Sequence, residues 1–254
     1  MINLYFIGTA GSGKSTLTSA FQSWMSQHGY DAITVNLDPG AERLQYPADI
    51  DVRDWINLPE VMDTHGLGPN GAQIVCADML SLKALELKEV LDEFDADYAL
   101  IDTPGQMELF AYRDSSRAIL DAFGKKDSLV TFLFDPFLSR SPSGFVSLAM
   151  LCASIQFRIE LPFVNILSKA DLIETEKVED IVEWSRDPNN LHDALIGSSP
   201  SMQVQSSIEF FRALEVLDTY REVIPVSSEA NAGMEDVYNA VQQMFFGGED
   251  LSKD

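Results

Sequence analysis

The sequence predicts an α/β fold, a doubly wound, mostly parallel sheet flanked by helices and carrying helical insertions. Six short, mostly apolar runs, at residues 2–7, 32–37, 98–101, 129–134, 163–167 and 223–226, have the length and hydrophobicity of strands buried on both faces. Amphipathic stretches of helical period lie between them, at 15–27, 84–94, 146–159 and 234–246. Alternation of this kind places ligand chemistry at the carboxyl ends of the strands.

A chain of 254 residues can bury the core of one such domain. The expected domain covers residues 1–246, with one insertion at about 41–97 and a helical one at about 172–222. The first insertion contains a turn-rich section at 64–71 followed by a helix, and residues 247–254 read as an acidic, disordered tail. The segment 137–152, with Phe145, Leu148 and Met150, reads as a buried helix, with a partner groove as the alternative.

Seventeen Lys and Arg against forty Asp and Glu leave a net charge of −23, which repels nucleic acid over most of the surface. Direct binding to DNA or RNA is therefore not expected. Cys76 and Cys152 have neither metal-site nor disulfide-framework spacing, which fits a reducing compartment. The apolar start, residues 1–7, is too short to span a membrane and has no basic flank, so a cytoplasmic location without membrane association is expected.

The first strand runs into Gly8-Thr9-Ala10-Gly11-Ser12-Gly13-Lys14-Ser15, a Walker A pattern in its strand-to-helix context. Glycines allow backbone N–H groups to close around phosphates, and a helix N-terminus adds positive potential. Gly11, Ser12, Gly13, Lys14, Ser15 and Thr16 form the expected phosphate cradle. Lys14 would meet the β- and γ-phosphates, and Ser15 would ligate Mg²⁺.

The strand at 98–101 leads into Asp102-Thr103-Pro104-Gly105-Gln106. Hydrolysis needs a carboxylate near the metal and a group that orients the attacking water. Asp102 suits the first role, Gln106 the second, and the Gly105 N–H could donate to the γ-phosphate.

The strand at 163–167 leads into Ser168-Lys169-Ala170-Asp171. A carboxylate there can accept from guanine N1–H and the N2 amine, whereas adenine offers neither donor and would leave a buried Asp171 unpaired. The stem of Lys169 would pack on the base, and Ser168 stands where GTP-binding proteins usually carry Asn. Ser227, in the turn after the last strand, could present backbone N–H groups to guanine O6. The motifs together point to GTP and GDP as ligands.

Read without context, Gly68-Pro69-Asn70-Gly71 is a tight turn, with Pro setting φ and Asn and Gly accepting positive φ. With its neighbours it carries a resemblance. Residues 64–71, Asn36-Leu37-Asp38-Pro39, the run from Tyr46 to Asp54, Asp102 to Glu108 and Ser168 to Leu172 resemble the GPN-loop GTPases, SIMIBI-class P-loop proteins, across about residues 2–246. Gly40 departs from the Ala more frequent in that family.

The resemblance implies a Mg²⁺-dependent GTP-hydrolysing homodimer in which the loop Gly68, Pro69 and Asn70 reaches the partner's phosphates, Asn70 acting in trans. It implies catalytic roles for Asp38, Asp102, Gln106 and Glu108, with Asp38 and Asp102 joining Ser15 around the metal, and for Arg53 and Asp54 either an interface or switch ion pair or a ligand contact. The lack of a long carboxyl-terminal extension suggests the compact, archaeal-type version. Client or partner proteins, among them RNA polymerase assembly machinery, are implied by eukaryotic relatives. The alternative is a P-loop kinase, weakened by the single arginine, Arg186, at 172–200, and a binding-only scaffold is a third class.

Overall fold

The computed structural model describes residues 1–217 and 222–247. Seven strands, β1 (Ile2–Gly8), β2 (Ala32–Asn36), β3 (Ile50–Asp51), β4 (Tyr98–Asp102), β5 (Ser128–Phe134), β6 (Phe163–Leu167) and β7 (Val223–Pro225), form one sheet in the order β3-β2-β4-β1-β5-β6-β7. Six coincide with the apolar runs, and β3, two residues long, is too short to leave such a run.

The helices are α1 (Lys14–Gln27), α2 (Leu58–His65), α3 (Pro69–Leu91), α4 (Met107–Ala111), α5 (Asp114–Phe123), α6 (Pro136–Ser139), α7 (Pro142–Ile159), α8 (Thr175–Arg186), α9 (Pro188–Ile196), α10 (Met202–Val216) and α11 (Met234–Phe246). The chain packs into two compact units, residues 1–131 with 158–163, and residues 132–157 with those from 164 onward.

In the first unit β4 pairs in parallel with β1 and with β2, in a register that sets Phe6, Asn36 and Asp102 level at the carboxyl ends of three adjacent strands. α1 buries Leu17, Phe21 and Met25, one per turn, and packs on β1, β2 and β4. α3 buries Ala72, Cys76, Leu80, Ala84, Leu87 and Leu91 and packs against α2 and α5.

The start of α3 differs from both expectations for this region. The predicted helix at 84–94 is the second half of a 23-residue helix that begins at Pro69, where proline suits the first helical position because its missing N–H would have no partner. Asn70 and Gly71 are helical, and the positive φ belongs to Gly66, at +62°, which ends α2. The turn therefore lies two residues ahead of Gly68.

In the second unit β6 pairs in parallel with β7, and the insertion is three helices, α8 to α10. α7 is the one helix among the described residues long and apolar enough to match a membrane span. Phe145, Val146, Leu148 and Cys152 on it are buried, while Phe137 and Leu138 just ahead of it are exposed. Cys76 and Cys152 are both free and buried. The acidic tail expected at 247–254 lies, beyond Gly247, outside the described residues.

Candidate functional site

The phosphate cradle forms because two glycines bend the chain where side chains would resist. Gly11 and Gly13 adopt φ of +75° and +97°, and Gly13 caps α1 without a side-chain bond, leaving the helix N-terminus open to an anion. Ser12 N–H closes the turn on Thr9 O at 3.1 Å. Ser12 is fully buried, and its Oγ has no partner.

Lys14 is nearly buried and folds back over this loop. Its Nζ donates to Gly8 O at 3.1 Å, Thr9 O at 3.2 Å and Gly105 O at 3.2 Å. Burial holds its pKa below the usual lysine range, against the opposing charges of Asp102, Asp38 and Glu108.

Asp102 ends β4 and is 2% exposed. One carboxylate oxygen accepts from the Tyr46 hydroxyl at 3.0 Å, and the other has no hydrogen-bond partner. Burial pushes its pKa up to about 6, and Ser15, Tyr46 and Lys14 only partly oppose it. A buried carboxylate oxygen lacking a partner, close to the Ser15 hydroxyl, is a hard-oxygen donor set that fits Mg²⁺. Among the described residues no group of three or more His, Cys, Asp or Glu gathers to hold a metal.

Asp38 follows β2, and both its oxygens are engaged: Oδ1 accepts from Gly40 N–H at 2.8 Å and Oδ2 from Gly105 N–H at 2.9 Å. The Gly105 N–H expected to face a γ-phosphate is therefore held by Asp38, whose carboxylate oxygens each keep a further lone pair. Asp38 is itself placed by Asn36, whose Oδ1 accepts from Asp38 N–H at 3.0 Å and whose Nδ2 donates to Asp51 at 2.9 Å.

Arg53 resolves as an ion pair. It donates to Asp51 from Nη2 at 2.5 Å and to Ala41 O from Nη1 at 2.8 Å, tying down the loop after Asp38. Burial would raise Asp51, but hydrogen bonds from Arg53 and Asn36 and the guanidinium charge outweigh it and hold the carboxyl below its ordinary value.

Gln106 and Glu108 are exposed at the start of α4. Gln106 Nε2 donates to Gln73 Oε1 at 3.2 Å. Gly68, Pro69 and Asn70 are exposed at the start of α3. The bond of Tyr46 to Asp102 and the place of Gln73 escaped the sequence reading, because each reaches its partner across a gap in the chain that no local pattern encodes.

In the second unit Ser168 is buried against β5, where its N–H and hydroxyl both donate to Phe134 O at 3.1 Å. Lys169 takes a left-handed φ of +50° and lies 3.8 Å from Asp135. Asp171 is exposed, not buried as the specificity argument assumed, so a penalty against adenine arises only once a base covers it. Ser227 N–H donates to Ala232 O, and Ser227 Oγ accepts from Ala230 N–H. The Ser227 N–H expected to face guanine O6 is therefore already engaged.

Known proteins share this plan. A family model described as a conserved hypothetical ATP binding protein matches residues 6–246. A GPN-loop GTPase of Pyrococcus abyssi is 34% identical over 235 residues, 91% of this chain and 92% of that protein. GPN-loop GTPase 1 of Dictyostelium discoideum is 28% identical over 243 residues, and there the chain spans 60% of the relative's length. The crystal structure of the Pyrococcus abyssi GTPase in its apo form superposes with a TM-score of 0.86 at 30% identity, covering 96% of this chain and 98% of that one.

Proposed function

This chain belongs to the GPN-loop GTPase family, and we infer from that membership that it binds and hydrolyses GTP and propose that it does so with Mg²⁺, as a homodimeric switch. The observation that carries the reading lies in the first unit, where an open phosphate cradle surrounds Lys14 and a buried Asp102 keeps one oxygen without a partner.

In this reading the N–H groups of Gly11 to Thr16 hold the phosphates, and Lys14 transfers its hydrogen bonds from loop carbonyls to the β- and γ-oxygens. Ser15 and Asp102 would hold Mg²⁺, with Asp38 reaching the metal sphere; bound there, the metal neutralises charge building on the phosphates. Gln106 accepts from the attacking water, and Glu108 assists in orienting it. Lys169 and Asp171 recognise guanine, with Ser168 and the loop after Ser227 beneath the base.

Among the described residues no arginine bonds into the cradle, and the missing donor to the γ-phosphate is assigned to the side-chain amide of Asn70 of a second copy. Turnover then changes the pairing of the two copies, and with it a surface that binds client proteins in the cytoplasm during assembly of larger complexes.

The test is hydrolysis and product analysis with GTP and ATP, with and without Mg²⁺, alongside the oligomeric state. Free phosphate from GTP, a dimer, and slowed turnover with intact GDP affinity in Asn70→Ala are expected. Preference for ATP, a phosphorylated acceptor, or wild-type turnover in Asn70→Ala would overturn the corresponding part.

A further inference from the structure

Gln73 belongs to none of the motifs above, yet its side chain sits between the two loops that carry the expected water and metal chemistry. It lies on α3, one turn beyond Asn70, and its Oε1 accepts from Gln106 Nε2 at 3.2 Å. On its other side is the loop after β2. A Cβ added at Gly40 would come within 3.1 Å of Gln73 Nε2 and 3.2 Å of Asp38 Oδ1. Gly40 thus leaves the room that the Gln73 amide occupies.

The base of this side chain is fixed. Ala72, Cys76 and Ala77 are buried on either side of it in α3. One turn further, Asp78 takes a two-pronged bond from Arg113, at 2.8 and 2.7 Å, which fastens α3 to the residue capping α5.

We propose that Gln73 is a positioning residue for GTP hydrolysis, holding the Gln106 amide in the one orientation that offers its carbonyl oxygen to the attacking water. The proposal rests on the GTPase reading above. An amide side chain has a donating and an accepting end, and an exposed one turns freely between them. With Nε2 spent on Gln73, the Gln106 Oε1 is left to accept from water, the polarity that orienting a nucleophile requires. Acting through its bond to Gln106, Gln73 affects turnover and leaves nucleotide affinity alone.

The experiment is a double-mutant cycle in steady-state GTP hydrolysis, with GDP affinity and melting temperature measured on each variant. Gln73→Ala is expected to lower kcat about 3–10-fold, the size of one neutral hydrogen bond, with KM and GDP affinity unchanged. In a Gln106→Ala background the same change should have no further effect. Gly40→Ala, whose new methyl crowds the Gln73 amide, should lower kcat in the wild-type background and lower it less beside Gln73→Ala, where only the approach to Asp38 remains. An unchanged kcat in Gln73→Ala, or an equal loss with and without Gln106, would overturn the proposal while leaving the GTPase reading intact. Full activity in Gln106→Ala would overturn both this proposal and the role given to Gln106.

Discussion

Replacing Asp102 with Asn is expected to stabilise the nucleotide-free protein increasingly as pH rises, while abolishing Mg²⁺-dependent turnover. The carboxyl is 2% exposed and its pKa is about 6, against 3.8 for the free group. At about 1.4 kcal/mol per tenfold change in acidity, ionised Asp102 costs the native state roughly 3 kcal/mol. Because the folded pKa is raised, the favourable contribution is complete below pH 3.8 and is lost as pH climbs through 6.

Somewhat over half of that cost has already accrued by pH 5, so about 1.4 kcal/mol remains to appear between pH 5 and pH 8. Asn keeps the acceptor for Tyr46 but puts an amide where the unpartnered oxygen was, a penalty that does not vary with pH. The pH dependence of the difference between variant and wild type therefore isolates the charge. Thermal melts in chelator should show the Asn variant gaining roughly 3–6 °C on the wild type from pH 5 to pH 8. A difference that stays flat, or one that shifts toward the wild type as pH rises, would refute the argument that burial destabilises this carboxylate.

Other expectations follow from single contacts. Lys14→Ala should lower GTP affinity and turnover by at least about 100-fold, read by nucleotide titration and phosphate release, since the loop carbonyls alone cannot hold phosphate. Asp171→Ala should weaken GTP binding by about 10–100-fold and leave ATP binding nearly unchanged, so the ratio of the two affinities measures the guanine contact. Arg53→Ala should free the Ala41 carbonyl and strip the guanidinium from Asp51, which keeps its bonds from Asn36 and the backbone N–H of residue 53, costing about 1–3 kcal/mol in urea unfolding. Gly233→Ala should cost at least about 2 kcal/mol, because φ is +78° and the new Cβ would sit 2.2 Å from Pro225 O.

The strands and the cradle were legible because they are written locally. Runs such as Ile2–Gly8 and Ser128–Phe134 are mostly apolar, and glycine at 11 and 13 sits where only glycine is comfortable. The first turn of α3 was not legible, because Pro69, Asn70 and Gly71 have turn propensities that packing of Ala72 and Cys76 overrides. Nor was the exposure of Asp171, which depends on neighbours the motif does not name. The contacts of Tyr46 and Gln73 were invisible for a third reason: a hydroxyl 56 residues from Asp102 and an amide 33 residues from Gln106 meet their partners only after the sheet has assembled.

The peptide unit of Gly105 is gripped at both ends, its carbonyl by Lys14 and its N–H by Asp38. Those are the same two groups that a triphosphate and its metal must recruit. A ligand that reaches only the lysine loosens one end and leaves the other fastened; one that also draws off the carboxylate sets the whole segment free. The segment after Asp102 would then count phosphates, responding to a third one in kind and not merely in degree.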